Sequence, residues 1–284
     1  MPKVINSPAQ VSSIWAAASF FGSSFFRPAV LKSVFSVFKN FFFLQYKAVL
    51  LPGHCPVSQV DHPLDRKIPF KPEKVEIYLD FIHFFSRTIG FLFWNFKQSS
   101  REELRAAIES LGIIYEKAAG IYSKNLSTTK RPRYLARLKF LIIHIFDPHL
   151  MCIPSLHVMV VIQAYTVFRA ILRKLGKEKT YSAQITDVRN RALAITEAVL
   201  YIKQHSINCI SSSMYAMTCF DELFPPEEAE GFAKDLFKEA DGISDKDAEA
   251  IRNHIIDLYR YFLKQKNQTW EKPLLDFLQS QPKN

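Results

Sequence analysis

Four consecutive residues, Pro154-Ser155-Leu156-His157, have side chains that could bind and transfer a phosphoryl group. They lie between a helix stop at Asp147-Pro148 and the apolar run 158–172. Proline fits the first turn of a helix, because its missing N–H would be unpaired there in any case. The free amides of a helix N-terminus, together with a serine hydroxyl, bind anions such as phosphate. His157 would then stand beside the anion, where it could donate or accept a proton.

The same four residues also fit a structural role, in which a capping serine and a buried histidine begin an ordinary core helix. Two further stretches favour phosphate chemistry. Upstream, Lys124 is followed after six residues by Arg131-Pro132, and lysine and arginine neutralise phosphate oxygens. Downstream, Lys203-Gln204-His205-Ser206 supplies a second histidine that could attack phosphorus.

Taken together, these stretches resemble the type-2 phosphatidic acid phosphatase and vanadium haloperoxidase superfamily. Its pattern is Lys-x6-Arg-Pro, then Pro-Ser-Gly-His, then Ser-Arg-x5-His-x3-Asp. The matching residues are Lys124, Arg131 and Pro132 in the first motif, Pro154, Ser155 and His157 in the second, and His205 in the third. Leu156 replaces the glycine, a variant familiar from the branch that resembles sphingolipid head-group transferases, and residues 65–78 look like the entry segment of that branch. The resemblance covers residues 64–213 and implies an all-α helical bundle, with extra N- and C-terminal helices.

The resemblance implies a metal-independent mechanism that needs no cofactor. His205 would attack a lipid phosphate and form a phosphohistidine, while His157 would protonate the leaving oxygen. The phosphoryl oxygens would be held by Lys124, Arg131, Ser155 and the helix amides near Leu156. Water as the acceptor gives a phosphatase, and a lipid hydroxyl gives a transferase.

The third motif is incomplete in this chain. Ala198 and Val199 stand where the family has Ser-Arg, and Cys209 stands where it has Asp. That carboxylate holds the nucleophilic imidazole in the right tautomer, as the aspartate of a Ser-His-Asp site does. A thiol cannot supply the charge, and the nearest acids along the chain are Asp187, Glu197 and Asp221. The alternative function is therefore a catalytically inactive relative that binds phospholipid head groups, or a membrane-associated structural protein.

Composition favours helices and an anionic partner. Only 8 of the 284 residues are glycine while 25 are phenylalanine, and few runs alternate between apolar and polar residues. The net charge of +10 suits lipid head groups or nucleic acid. Lipid is the favoured partner and nucleic acid is not expected, because no zinc-finger spacing or RNA-binding signature is present. A basic helical protein of unrelated fold is the third interpretation.

The chain divides into three predicted segments. Residues 1–63 are Phe-rich, punctuated by Lys32, Lys39 and Lys47, a pattern typical of a helix on a membrane surface. Packing of this segment on the main domain is the competing interpretation. Residues 64–220 form the phosphatase-like bundle, and residues 221–284 form a charged helical appendage in which residues 244–247 cap a helix. The four cysteines lack zinc-site spacing, so no metal site is expected.

The bundle is predicted to contain five helices, over residues 74–96, 101–123, 133–146, 158–172 and 187–213. The first carries Asp80, His83 and Arg87 on one face, as a polar stripe covered by protein or as a functional group. No run reaches about 20 uncharged apolar residues, the length of a typical membrane span. A membrane location, integral or peripheral, is nevertheless expected from the resemblance and the basic charge.

Overall fold

The computed structural model describes residues 5–132, 134, 138–265 and 269–283, and it is 71% helical. The predicted all-α class is therefore confirmed. The only strands in the described residues are β1 (Val57–Gln59) and β2 (Leu126–Thr128), which pair in parallel. The α-helices are α1 (Ser13–Gly22), α2 (Arg27–Val37), α3 (Leu44–Leu50), α4 (Val75–Leu79), α5 (Phe81–Phe96), α6 (Arg101–Tyr122), α7 (Leu138–Phe146), α8 (Leu156–Lys174), α9 (Ser182–Tyr201), α10 (Ile207–Phe220), α11 (Pro226–Asp235), α12 (Asp245–Lys264) and α13 (Lys272–Ser280).

Helix α8 is the centre of the fold. Every residue from 156 to 166 is buried, because α5, α6, α9 and α10 surround it. A helix that is apolar on all sides must be covered in this way. Among the described residues, α8 alone is long and apolar enough to cross a membrane, yet 78% of its apolar stretch is buried inside the protein. Its composition is therefore explained by its place in the core.

Two predicted helices are each divided in the structure. The predicted helix 74–96 is interrupted at Asp80, whose carboxylate forms ion pairs with Arg87 and Arg191, the latter at 2.6 Å. The polar stripe on this helix thus has partners within the protein. The predicted helix 187–213 is divided into α9 and α10, and Ser206 caps α10 by accepting a hydrogen bond from the Asn208 amide at 3.3 Å. The connection between α9 and α10 carries His205.

The terminal segments pack on the bundle. Helix α1 lies against α5, α2 against α6, and α12 against α10. Helices α2 and α6 approach closely at Gly112, where an added Cβ would lie 3.1 Å from the Ser33 Cα. The predicted cap at the C-terminal helix is confirmed, because Ser244 accepts a hydrogen bond from the Asp247 amide at 3.1 Å.

One hydrophobic core contains residues from all three predicted segments, for example Phe20, Phe168 and Phe262. The predicted helix 133–146 appears as α7, which begins at Leu138. Residues 133 and 135–137 lie outside the described part of the chain.

Candidate functional site

Ser155, His157 and His205 form one buried cluster of hydrogen-bonding side chains. The Ser155 hydroxyl lies 3.1 Å from Nε2 of His205, and the same nitrogen lies 3.2 Å from Nδ1 of His157. Nε2 of His157 is bonded in turn to the hydroxyl of Tyr78 at 2.7 Å. Three residues from the predicted motifs, and one tyrosine from the entry segment, therefore form a continuous chain of polar groups.

Local structure at the start of α8 directs the Ser155 hydroxyl toward His205. Ser155 occupies the N-cap position, but its hydroxyl makes no capping bond to the helix amides. Its backbone amide donates instead to Oγ of Ser213 at 2.7 Å, and the carbonyl of Pro154 accepts a hydrogen bond from Tyr122. These contacts fix the backbone of the segment from both sides, which leaves the Ser155 hydroxyl available to the imidazole.

The connection between α9 and α10 holds His205. The amides of Gln204 and His205 both donate to the carbonyl of Val199, at 2.9 and 3.2 Å. Lys203 adopts a left-handed backbone conformation with φ 58°, and its ammonium group donates to the carbonyls of Asp65 and Ile68, the former at 2.6 Å. The incomplete third motif therefore still forms a tight turn that aims its histidine at the start of α8.

Both histidines of the cluster are neutral at neutral pH. Burial lowers the pKa of His157 to about 4, while Asp147 opposes this shift and Arg131 adds to it. Burial also holds the pKa of His205 well below its usual value, and the charges of His157 and Arg131 act in the same direction. The backbone carbonyl of Cys152 favours the protonated His205 ring. Nδ1 of His205 nevertheless has no hydrogen-bond partner of normal geometry in the described part of the chain.

An open cavity of about 710 Å³ reaches the cluster at His205. Four of the side chains that line it are basic and two are acidic, so its electrostatic potential favours anions. The basic side chains are Arg66, Lys130, Arg131 and Lys203, and the acidic ones are Asp61 and Asp65. Phe70 and Ile68 supply apolar surface on the same wall. The cavity can therefore accept an anionic head group with an apolar attachment.

The Arg131 side chain is only 12% exposed and carries its own counter-ion. Its guanidinium lies 3.3 Å from the Asp147 carboxylate and also donates to the Asp147 carbonyl at 3.2 Å. Nδ1 of His144 lies 3.3 Å from a terminal nitrogen of the same guanidinium. Burial lowers the pKa of His144, and the positive charge of Arg131 lowers it further. Nε of Arg131 is buried without a partner among the described residues. Because this nitrogen is buried, a bound anion would reach it only after the guanidinium moves.

Asp65 links the cavity to the His205 turn and to the C-terminal helices. Its carboxylate accepts hydrogen bonds from the amides of Ile207 at 3.0 Å and His62 at 2.7 Å. The His62 ring stacks on His254 of α12 with ring centres 3.8 Å apart. His254 lies 2.8 Å from Oδ1 of Asn208, at the start of α10. Groups from three distant parts of the chain thus support the turn that carries His205.

Not every predicted site residue lies at this site. Lys124 is exposed at the end of α6 and does not line the cavity, whereas Leu156 is buried in the first turn of α8. Cys209 is buried beside Cys152, and burial raises the pKa of its thiol. Glu197 and Asp221 bond elsewhere, to the Phe237 amide and to Thr166. Asp187 lines a different cavity.

The contact between the two imidazoles leaves no space for phosphorus. In an in-line transfer the nucleophile and the proton donor lie on opposite sides of the phosphoryl group. The 3.2 Å separation of Nε2 of His205 and Nδ1 of His157 is a direct hydrogen bond. The cavity touches His205 and not His157. A phosphoryl group would have to enter from the His205 side and separate the rings.

Sequence reasoning missed three groups that shape the site, namely Tyr78, Asp147 and Lys203. Tyr78 lies in the segment that resembles the family entry segment, and Lys203 lies two residues before His205, so position along the chain gave a signal for both. Asp147 was interpreted only as part of a helix stop. Its ion pair with Arg131 could not be inferred from spacing.

Comparisons of the chain with protein-family models, curated proteins and solved structures find no match. Among the described residues, no group of three or more His, Cys, Asp or Glu side chains is arranged to hold a metal ion.

Proposed function

We propose that this protein hydrolyses or transfers the phosphoryl group of a phosphorylated lipid, with His205 as the nucleophile. The observation that supports the proposal is the cluster of Ser155, His157 and His205 at the end of a basic cavity. A neutral imidazole has the free electron pair that attack on phosphorus requires, and burial keeps His205 neutral.

The first step would form a bond between Nε2 of His205 and phosphorus while the bond from phosphorus to the leaving oxygen breaks. His157 would give its proton to that oxygen. With a pKa of about 4 the free ring carries no extra proton at neutral pH. A phosphoryl dianion beside the ring would raise this pKa, because an opposite charge favours the protonated form. Attack of water or a lipid hydroxyl on phosphorus would then form a new phosphorus–oxygen bond and break the nitrogen–phosphorus bond, while His157 takes the proton of the attacking oxygen.

Arg131 and Ser155 are the groups that would hold the phosphoryl oxygens. The guanidinium has an Nε to which no described residue bonds, and the Ser155 hydroxyl is directed at His205. Hydrogen bonds to the oxygens would replace the bonds that Ser155 and His157 make to Nε2 of His205. This exchange would open the imidazole pair and free the attacking electron pair. Lys130 and Lys203 on the cavity wall would add positive charge.

The second candidate function is binding of phosphorylated head groups without chemistry. Two observations favour it: the closed contact between the imidazoles, and a His205 Nδ1 that has no carboxylate partner in the described structure. An orienting carboxylate contributes several orders of magnitude to the rate of triad enzymes. The basic cavity would serve binding equally well. A membrane location follows from either candidate because both act on lipid.

Release of phosphate from phosphatidic acid and from lipid diphosphates tests the first candidate. We expect His205→Asn and His157→Asn to lower the rate at least about a hundredfold, as loss of a nucleophile or a general acid does. His54→Asn is the matched control, since His54 is exposed and does not line the cavity. A radiolabelled phosphohistidine should be trapped on the wild type and not on His205→Asn. Binding of lipid phosphate with no turnover would select the second candidate.

A further inference from the structure

Exposed apolar side chains are concentrated in two segments of this protein. Of the 20 large hydrophobic residues that are exposed in the described chain, nine lie within residues 31–51 and five within 138–146. Phe35, Phe38 and Phe43 are 69%, 61% and 68% exposed, and Leu138 is 71% exposed. A soluble monomer seldom leaves this much contiguous apolar surface in water, so the concentration indicates an interaction surface.

The two segments form one face. The hydroxyl of Tyr46 donates to the carbonyl of Ile145 at 2.8 Å, and the Gln45 side chain donates to the carbonyl of Phe146 at 3.0 Å. These bonds fasten α3 to the end of α7. We call the exposed apolar residues of 31–51 and 138–146 the α2–α7 face.

The charge around the α2–α7 face is positive. Lys32, Lys39 and Lys47 are exposed, and the sequence has no aspartate or glutamate before Asp61. Residues 130–146 likewise contain no acidic residue. Of the face lysines, Lys139 pairs with a neighbouring carboxylate, that of Glu76. Apolar side chains set among exposed lysines match the interface of an anionic bilayer, which offers acyl chains beneath negative head groups.

Helix α7 joins this face to the cavity that contains His205. The buried side of α7 carries Phe140, whose ring lies 6.0 Å from that of Phe70 on the cavity wall. His144, also on α7, contacts the guanidinium of Arg131. A lipid held at the α2–α7 face would therefore have its head group close to the basic entrance of the cavity.

We infer that the α2–α7 face docks this protein on the surface of an anionic membrane. A second copy of the chain is a poorer occupant, because pairing two such faces would bring their lysines together, and the carboxylate of Glu76 already pairs with Lys139. Membrane docking is inferred from the exposed apolar side chains and the positive charge alone, whereas delivery of lipid to His205 rests on the proposed function.

Vesicle sedimentation of the full chain tests the inference. We expect binding to phosphatidylcholine vesicles that contain phosphatidylserine, and much weaker binding to phosphatidylcholine alone. The double variant Phe38→Ser/Phe43→Ser should lower the partition coefficient at least about tenfold, because two aromatic side chains lose their burial in lipid. Each of Lys32→Gln, Lys39→Gln and Lys47→Gln should lower it about fivefold at low salt. The double variant Leu141→Ser/Ile145→Ser, which removes two exposed apolar side chains of α7, should lower the partition coefficient as well.

The matched control is Ile14→Ser/Tyr261→Ser, which removes two exposed apolar side chains outside the face. It should leave vesicle binding unchanged. Equal binding by the face variants and the control would overturn the inference. The inference would also be overturned if the wild type formed a dimer and did not bind vesicles, and if the face variants were monomeric.

Hydrolysis of a soluble phosphate ester, p-nitrophenyl phosphate, separates the inference from the proposed function. Face variants that hydrolyse the soluble ester at the wild-type rate but no longer bind vesicles would support both. If the wild type binds vesicles but releases no phosphate from any substrate, the proposed chemistry is contradicted and the docking inference is supported.

Discussion

The hydroxyl of Tyr78 lies 2.7 Å from Nε2 of His157, and both side chains are buried. Burial raises the pKa of Tyr78 well above its usual value, so the phenol keeps its proton and donates it to the imidazole. The proton of neutral His157 then belongs on Nδ1, which faces Nε2 of His205. Tyr78 therefore selects the tautomer of His157 that directs a proton at the proposed nucleophile.

Replacing Tyr78 with phenylalanine should destabilise the protein by about 1–3 kcal/mol, because a buried ring nitrogen loses its donor. Urea unfolding measures this change, and nitrogen NMR of the His157 ring should show a mixture of tautomers. Tyr115→Phe is the control, since Tyr115 is another tyrosine with a raised pKa that lies outside the cluster. An unchanged His157 tautomer in Tyr78→Phe would show that the phenol does not fix it.

The buried histidines should make the protein sensitive to acid. His157 has a folded pKa of about 4 and an ordinary value near 6.5 when unfolded. Between these values the unfolded chain binds the proton and the folded protein does not, so stability is complete above pH 6.5 and falls as the pH drops toward 4. The slope from one such group is about 1.4 kcal/mol per pH unit.

His157→Gln should remove this contribution and flatten the dependence of unfolding free energy on pH between 6.5 and 4. Glu197, whose pKa burial raises to about 7, acts with the opposite sign and partly offsets the wild-type slope between pH 7 and 4.5. Glu197→Gln should therefore steepen it. Equal slopes in wild type and His157→Gln would mean that the ring does not titrate as its burial requires.

The pair of Arg131 and Asp147 should be sensitive to loss of one partner. Asp147→Asn leaves the guanidinium partly buried without its counter-charge, which should cost roughly 2–4 kcal/mol. Asp276→Asn breaks an exposed pair with Lys272 and should change stability by less than about 1 kcal/mol. Thermal or urea unfolding compares the two variants. A cost for Asp147→Asn no larger than that of the control would show that Arg131 finds another partner.

Introducing an aspartate at position 209, as in the pattern that the chain resembles, should not improve the site. Cys209 is fully buried beside Cys152, so Cys209→Asp would place a carboxyl group in apolar surroundings. We expect destabilisation of a few kcal/mol relative to Cys209→Ala, and no gain in phosphate release. A stable Cys209→Asp protein with a higher rate would mean that the carboxylate reaches Nδ1 of His205.

The sequence predicted the helical class, and it singled out Ser155, His157 and His205, which the structure brings into one cluster. Helix period is a local property, whereas the predicted helix start is only partly right: Pro154 precedes the N-cap residue Ser155 and is not in the first turn, and the Ser155 hydroxyl makes no capping bond. Lys124 shows the limit: its spacing to Arg131 fits the motif, but the chain turns after α6 and leaves Lys124 in solvent. The bonds of Tyr78 and Asp147 to the site depend on packing between helices that are far apart in sequence.

The division of the predicted helix 187–213 has the same origin. Residues 203–206 interrupt its apolar pattern with four polar side chains, and Ser206 is a favoured N-cap residue, but these local signals do not determine how the chain turns. Two hydrogen bonds to Asp65 hold the turn. The Lys203 ammonium group donates to the Asp65 carbonyl, and the Ile207 amide donates to the Asp65 carboxylate. Such long-range bonds are outside the reach of periodicity.

The stack of His62 on His254 has a consequence for biosynthesis. The turn that carries His205 is held by Asp65, which is synthesised before it. The neighbouring Asn208 contacts His254 of α12, which stacks on His62 and is synthesised after the turn. Chains emerge from the N-terminus and fold as they are made. A nascent polypeptide that already contains Arg131, His157 and His205 would still lack the support of α12, so the pair of imidazoles would be set in place only after α12 has been made.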